Sequence, residues 1–133
     1  MMLADVRDYV ASLSLADHVY MGKLPDKKDK SIGVYISKHE QAHRTAIGGA
    51  ELESYGIKYV TLLVHWNKSL RETEAATVRL FEAVSKTREA KINEATIKFI
   101  QPLYEPQDIG TDDAGICEMV IELAVIFERS KNE

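Results

Sequence analysis

The sequence has a single cysteine, Cys117, and only three prolines among its 133 residues. One cysteine cannot form a disulfide within the chain, so nothing in the sequence demands an oxidising compartment. No apolar run approaches the roughly 20 residues that a transmembrane helix needs. The N-terminus also lacks the basic and apolar regions of a signal peptide. We therefore expect a protein that is made in the cytoplasm and has no membrane partner.

The sequence has no excess of basic residues, and its net charge is −4. This argues against nucleic acid as the main partner. The charge is segregated, however: six basic and three acidic residues lie between Lys23 and Arg44, whereas seven acidic and no basic residues lie between Pro102 and Glu128. Two solvated faces would explain this. A second explanation is a ring in which the basic side of one copy meets the acidic side of the next.

The clearest pattern is a period of two in the C-terminal run from Gly115 to Arg129. One set of alternate positions is entirely apolar: Cys117, Met119, Ile121, Leu123, Val125 and Phe127. The other set places Glu118, Glu122 and Glu128 among aliphatic residues. Because a strand alternates its side chains across a sheet, the run predicts a long β-strand with one buried and one partly solvated face.

Shorter patterns organise the first half of the chain. A helix is predicted over about 2–13 by apolar residues at helical spacing, which are Leu3, Val6, Val10 and Leu13. Two strands are predicted over 18–24 and 31–37, and we interpret the charged turn between them as that of a hairpin. From 38 to 54 there is no strand pattern and Gly48-Gly49 interrupts any helix, which predicts a projecting loop.

The second half begins with a predicted strand over 55–66, whose two largely apolar faces are typical of a central position. Ser69 and Glu72 have the spacing of a capping box, which starts a helix that runs to about 86–89. We expect this helix to bury Leu70, Ala75, Val78, Leu80, Phe81 and Val84. A further strand is clearest over 95–101, and prolines and glycines predict a loop over 102–115.

These patterns predict one domain over residues 1–133 with the order α-β-β-(loop)-β-α-β-β. The length fits a single domain with one core. Strands and helices that do not alternate regularly indicate an α+β fold, with a mostly antiparallel β-sheet covered by two helices.

One segment matches a catalytic pattern, since His39-Glu40-Gln41-Ala42-His43 fits H-E-x-x-H. On a helix, its two histidines would hold zinc while the glutamate activates a water. The context does not fit, because the segment follows a predicted strand and Gly48-Gly49 comes soon after it. Only His18 and His65 remain as a third histidine ligand, and His65 lies in a predicted strand. A zinc-dependent hydrolase is therefore kept only as an alternative.

Other signs of catalysis are weaker still. Glu105, Asp112 and Asp113 do not have the spacing of a calcium loop, and turn chemistry explains them. Cys117 has no neighbour in sequence that would activate it. We expect no catalytic residue, no cofactor and no metal, and the chain is more typical of an assembly subunit. A small non-catalytic α+β binding module is a further alternative.

The C-terminal segment QPLYEPQDIGTDDAGICEMVIELAVIFER resembles the end of small minor capsid proteins from phages of Gram-positive bacteria. Those proteins are similar to the tail-terminator, or tail-to-head joining, proteins of long-tailed phages. The resemblance depends on the loop DIGTDDAGI and the long acidic strand that ends in Phe127-Glu128-Arg129. The order of elements fits over most of the chain, and the family offers no catalytic motif to transfer.

This resemblance implies a virion protein that is assembled in the bacterial host cytoplasm. An α+β subunit would form a hexameric ring on the last ring of the tail tube, stop its growth and join it to the head connector. Its partners would be further copies of itself, the tail-tube protein and the head-connector protein. DNA would pass through the ring without specific binding.

Two groups of residues are candidate contact sites under this hypothesis. The predicted loops provide an interface group: Lys38, Arg44, Glu51, Glu53, Glu105, Asp108, Asp112 and Asp113. The acidic strand face provides Glu118, Glu122 and Glu128, whose negative charge in a lumen would let DNA slide without sticking. An ordinary solvated strand face explains these three glutamates equally well.

Overall fold

The structure is a computed structural model, and it describes residues 1–24, 28–37 and 54–129. The loop predicted over 38–54 lies, apart from Ser54, outside the described residues. Nine elements follow in chain order: α1 Leu3–Ser12, β1 His18–Met21, β2 Ser31–Ile36, β3 Tyr55–His65, α2 Leu70–Ser85, β4 Arg88–Ile92, β5 Ala95–Pro102, β6 Gln107–Thr111 and β7 Cys117–Glu128. Their strands form one mostly antiparallel sheet, which confirms the α+β prediction.

Strand β7 lies at the centre of this sheet. On one edge it pairs with β3 along almost its whole length, from His65 opposite Glu118 to Tyr55 opposite Glu128. On the other edge, β5 pairs with its C-terminal half and β6 with its N-terminal half. The sheet order is β1-β2-β3-β7-β5-β4, with β6 also beside β7. The C-terminal run therefore organises the fold.

The two faces of β7 differ as its period of two predicted. The six apolar positions are each 9% exposed or less: Cys117, Met119, Ile121, Leu123, Val125 and Phe127. On the opposite face Glu118, Glu122 and Ile126 are partly exposed, and Glu128 is exposed. The prediction of a long strand with one buried face is confirmed.

Both helices pack on that buried face. Val6 and Val10 of α1 join one core cluster with Leu80 and Val84 of α2 and the inward side chains of the strands. Neither described helix is long and apolar enough to cross a membrane.

Strands β1 and β2 are parallel, so the predicted hairpin is wrong. Val19 lies opposite Ile32 and Met21 opposite Val34. Loops of two to five residues are typical of hairpins, whereas nine residues, 22–30, separate β1 from β2. The first residue of β2, Ser31, lies opposite the first residue of β1, His18. There the amides of Asp17 and His18 both donate to the carbonyl of Lys30.

The predicted order also lacked two strands. The segment before residue 95 contains β4, which forms a hairpin with β5. The predicted loop over 102–115 contains β6, which pairs with β7. All five residues of β6 are exposed, so no apolar alternation marks it in the sequence. Its pairing with β7 defines it as a strand.

Helix α2 buries Leu80 and Val84 as predicted, and Phe81 is partly buried against the core, but the rest of the predicted set is exposed. Leu70 and Val78 are 49% and 43% exposed, and Ala75 is also exposed. The buried residues are Thr73, Ala76, Thr77, Leu80 and Val84. Each threonine hydroxyl donates to the carbonyl four residues earlier, at 2.8 Å for Thr73 and 2.7 Å for Thr77. Because these hydroxyls are satisfied within the helix, both threonines can be buried.

Only half of the predicted capping box forms at the start of α2. The Ser69 hydroxyl accepts from the amide of Glu72 at 3.2 Å. The Glu72 carboxylate accepts instead from Asn67 Nδ2 at 3.1 Å, and Asn67 Oδ1 takes the Ser69 amide at 2.9 Å. Three side chains thus share the capping of this helix.

Replacing Ser69 by alanine will lower the free energy of unfolding by about 1 kcal/mol, because the Glu72 amide loses its acceptor. Urea unfolding followed by circular dichroism measures this change. Ser12→Ala is the matched control, since that exposed hydroxyl donates to a carbonyl of its own helix. Equal losses in the two variants would show that the Ser69 hydroxyl does not cap α2.

Candidate functional site

Neither helix packs on the other side of the sheet, which we call the helix-free face. The register places Ser31 and Glu118 beside His65 on this face, and Glu122 beside Thr61. Towards the other end of the same strands it places Ile57 beside Ile126. The face therefore has a polar end and an apolar end.

At the polar end, His65 holds two acidic segments together. Its side chain is 1% exposed, and its Nδ1 lies 2.9 Å from Glu118 Oε2. Its Nε2 lies 3.8 Å from Asp112 Oδ2. The second oxygen of Asp112 accepts from the amides of Ala114 and Ile116, each at 2.9 Å. The imidazole thus ties the turn between β6 and β7 to the end of β3.

A small cavity of about 150 Å³ lies beside His65. Lys23, Tyr35, Asp112 and Glu118 contribute to its lining. Burial, and then the charge of Glu118, raise the pKa of Tyr35, while a backbone hydrogen bond with Leu24 opposes them. Its phenol is therefore protonated at neutral pH. Pockets for small molecules usually exceed about 300 Å³, so this cavity does not suit a substrate.

The three glutamates predicted to line a lumen have different surroundings. Glu118 is bound to His65, and Glu122 Oε2 accepts from Thr61 Oγ1 at 2.8 Å and from Ser37 Oγ at 3.0 Å. Only Glu128 is exposed. Two of the three carboxylates are therefore hydrogen-bonded to neighbouring side chains.

An acidic arm, residues 102–116, runs from the end of β5 through β6 to the start of β7. Glu105, Asp108 and Asp113 are exposed along it. Two of its apolar side chains, Tyr104 and Ile109, are each 52% exposed. The arm therefore presents acidic and apolar groups together.

The free edge of β6 is poorly suited to adding another strand. The register shifts between Asp108 and Gly110, so Ile109 is a bulge residue. Gly110 has a φ of +94°, and its amide donates to Asp108 Oδ1 at 2.9 Å. Bulges and occupied amides are common ways of protecting a sheet edge.

The two outer strands of the sheet are protected as well. Arg7 Nε donates to the carbonyl of Val19 in β1 at 3.0 Å. In β4, Arg88, Glu89 and Lys91 are exposed charges, and Glu89 has a positive φ of 49°. At the edges of β1, β4 and β6, contacts with other proteins are therefore expected through side chains and not through strand addition.

At the apolar end of the helix-free face, four side chains form an apolar patch: Tyr55, Ile57, Phe99 and Ile126. Ile57, Ile126 and Phe99 lie side by side on β3, β7 and β5. Ile57 is 56%, Tyr55 45% and Phe99 38% exposed. The Arg88 guanidinium lies 6.0 Å from the centre of the Phe99 ring, and Lys98 Nζ lies 5.7 Å from that of Tyr55.

Comparison with known families identifies the family of this chain. A sequence profile described as bacteriophage tail terminator protein matches residues 3–129. The chain belongs to this family. Comparison with curated proteins finds no match. Family membership makes the protein a structural component of phage virions that acts in tail assembly, and it confirms the resemblance seen in the C-terminal segment.

For this tail terminator, part of the predicted interface group can be placed. Glu105, Asp108 and Asp113 lie on the exposed side of the acidic arm, whereas Asp112 turns inward to His65. Lys38, Arg44, Glu51 and Glu53 lie outside the described residues, as does the H-E-x-x-H segment 39–43. No group of three metal-ligating side chains occurs within the described ranges.

Two features of the surface were not predicted. The apolar patch has a signal in the sequence, because Ile57 belongs to a strand that is apolar on both faces, but that pattern by itself indicates only a central position in the sheet. The pairing of His65 with Glu118 joins residues 53 positions apart, and no local pattern predicts it.

Proposed function

We propose that this protein terminates the phage tail as a hexameric ring. The ring caps the last ring of the tail tube, stops further polymerisation and joins the tube to the head connector. The family match over residues 3–129 carries this proposal, because it covers the whole sheet and both helices. Assembly takes place in the cytoplasm of the bacterial host.

The protected sheet edges support a capping role. A subunit that ends a polymer has to bind the tube without offering an equivalent surface for further growth. Free strand edges are templates for repeated addition, and here the edges of β1, β4 and β6 are each occupied, charged or bulged. Contact through faces and loops limits the assembly to defined partners.

We further propose that the protein catalyses no reaction of its own and uses no cofactor or metal. Its partners are copies of itself, the tail-tube protein and the head-connector protein. DNA passes through the ring past Glu118, Glu122 and Glu128 without specific binding. A ring structure in which Glu128 points away from the central channel would refute this last part.

Tail tubes that polymerise in the presence of this protein will be shorter and more uniform than tubes grown without it. The reason is that each capped end stops accepting tube subunits. The measurement is electron microscopy of tubes grown from purified tail-tube protein, with an unrelated acidic protein of similar mass as control. Equal length distributions with and without this protein, at saturating concentration, would contradict the proposed function.

A further inference from the structure

We propose that neighbouring copies in the ring contact each other head to tail, with the acidic arm of one copy on the apolar patch of the next. This inference rests on the proposed ring and specifies the two surfaces that build it. The patch is Tyr55, Ile57, Phe99 and Ile126, and the arm is residues 102–116.

The patch is unusual for a surface in contact with water. Three of its members, Tyr55, Ile57 and Phe99, are between 38% and 56% exposed although they lie on paired strands. Contiguous exposed apolar side chains on a rigid sheet mark protein interfaces more often than scattered ones do. Tyrosine and phenylalanine are also enriched where interfaces are tightest.

The arm has the complementary chemistry. Residues 102–116 carry four acidic and no basic side chains, a balance of −4. Residues 54–57, 88–99 and 126–129, on and around the patch, carry four basic and three acidic side chains, a balance of +1. One of these cations, Lys98, is paired with Glu89 at 2.7 Å. Each surface also presents apolar groups, which on the arm are Tyr104 and Ile109. Opposite charge around apolar centres favours contact between the two.

The two surfaces cannot meet within one copy. Asp108 of the arm pairs with Met119, whereas Ile57 of the patch pairs with Ile126. Those positions on β7 are seven residues apart, which corresponds to about 23 Å at 3.3 Å per residue. Backbone pairing fixes β6 at its end of β7. An arm can therefore reach only the patch of another copy.

Symmetric pairing of like surfaces is disfavoured by charge. Two patches face to face would bring the Arg88 guanidinium groups of both copies together. Two arms would bring together six exposed carboxylates, those of Glu105, Asp108 and Asp113 in each copy. The remaining arrangement places the arm of one copy on the patch of another, so two different surfaces meet. Such a heterologous contact repeats around a closed ring.

Two variants test this contact. Ile57→Asp places a carboxylate in the patch, where it repels the arm, and Ile109→Lys places a cation in the arm. Each will weaken self-association roughly tenfold or more, as expected when an interface anchor is lost. Leu70→Asp is the matched control, because Leu70 is 49% exposed on the helix side of the molecule, and it will assemble as wild type.

The decisive measurement is the mass of the assemblies in concentrated protein, by analytical ultracentrifugation. Electron microscopy of isolated tail tubes mixed with each variant shows whether it binds the tube ends. Neither variant will form rings alone. An equimolar mixture will form heterodimers, because the intact arm of Ile57→Asp fits the intact patch of Ile109→Lys. Thermal unfolding will show that both variants are folded, since both sites are more than half exposed.

Several results would overturn the inference. Wild-type assembly by Ile57→Asp or Ile109→Lys would do so, and so would the absence of heterodimers from the mixture. If Ile57→Asp forms rings but no longer binds tubes, the patch contacts the tail-tube protein instead. In these cases wild-type protein still limits tube length and the proposed function stands. Failure of wild-type protein to limit tube length would refute that function separately.

Discussion

Replacing Ile121 by alanine will lower the free energy of unfolding by about 2–5 kcal/mol, which is the range for buried aliphatic truncations. Ile121 is 0% exposed, lies opposite Leu62 on β3 and belongs to the cluster on which both helices pack. Its removal leaves a cavity that the paired strands cannot close. Urea unfolding measures the loss as a lower midpoint with an unchanged slope.

The matched control is Ile126→Ala, five residues later on the same strand. Ile126 lies on the helix-free face and is partly exposed, so its truncation will cost about 1 kcal/mol or less. The two variants remove the same atoms from opposite faces of β7. Equal losses, measured at a concentration where the protein is monomeric, would show that the core is not confined to the helix side.

The fold was predictable from the sequence wherever one face of an element is uniformly apolar. In β7 one set of alternate positions is apolar without a break from Cys117 to Phe127, and both the strand and its buried face follow from it. In α1 the buried Val6 and Val10 were predicted by their helical spacing. The reason is physical, since a continuous apolar face has to be covered whatever the remaining sequence does.

Helix α2 shows where such reasoning fails. Leu70 and Val78 are more hydrophobic than Thr73 and Thr77, yet the threonines are buried and the aliphatic residues exposed. A threonine in a helix can satisfy its hydroxyl on the carbonyl four residues earlier and bury its methyl group. The hydrophobicity of a side chain, taken alone, therefore does not predict whether it is buried in a helix.

Strand β6 shows a second limit. Its residues Gln107–Thr111 are all exposed, so it buries nothing that a pattern could reveal. It is a strand because β7 offers backbone partners beyond the end of β5. Long-range pairing of this kind is decided by the rest of the sheet. The parallel direction of β1 is a further example of a choice that its own four residues do not determine.

The candidate site was predictable only as a charged segment. The sequence marked 102–115 as an acidic loop, and turn chemistry explained Asp112, whose carboxylate does bind the amides of Ala114 and Ile116. Asp108 likewise binds the amide of Gly110. The sequence did not show that this segment stands as an arm at one end of β7 while an apolar patch lies at the other end. That separation depends on the strand register.

Replacing His65 by leucine will lower the free energy of unfolding by about 2–4 kcal/mol, because a partly buried carboxylate loses its partner. Glu118 is only 18% and Asp112 only 11% exposed, and both face the imidazole from segments distant in sequence. His18→Leu is the control, since His18 is half-buried and only stacks on Tyr20 with a centroid distance of 6.0 Å. It will cost about 1 kcal/mol or less.

A double-mutant cycle separates the lost pairing from lost packing. Glu118→Leu alone leaves the buried imidazole with a weaker carboxylate partner, whereas the double variant places two apolar side chains opposite each other. The double variant will therefore be more stable than the sum of the single losses implies, by about 1–2 kcal/mol. Hydrogen exchange of the Ala114 and Ile116 amides will accelerate in His65→Leu, because Asp112 is no longer fixed against β3. If the single losses are additive and these amides exchange at the wild-type rate, His65 does not tie the acidic arm to the sheet.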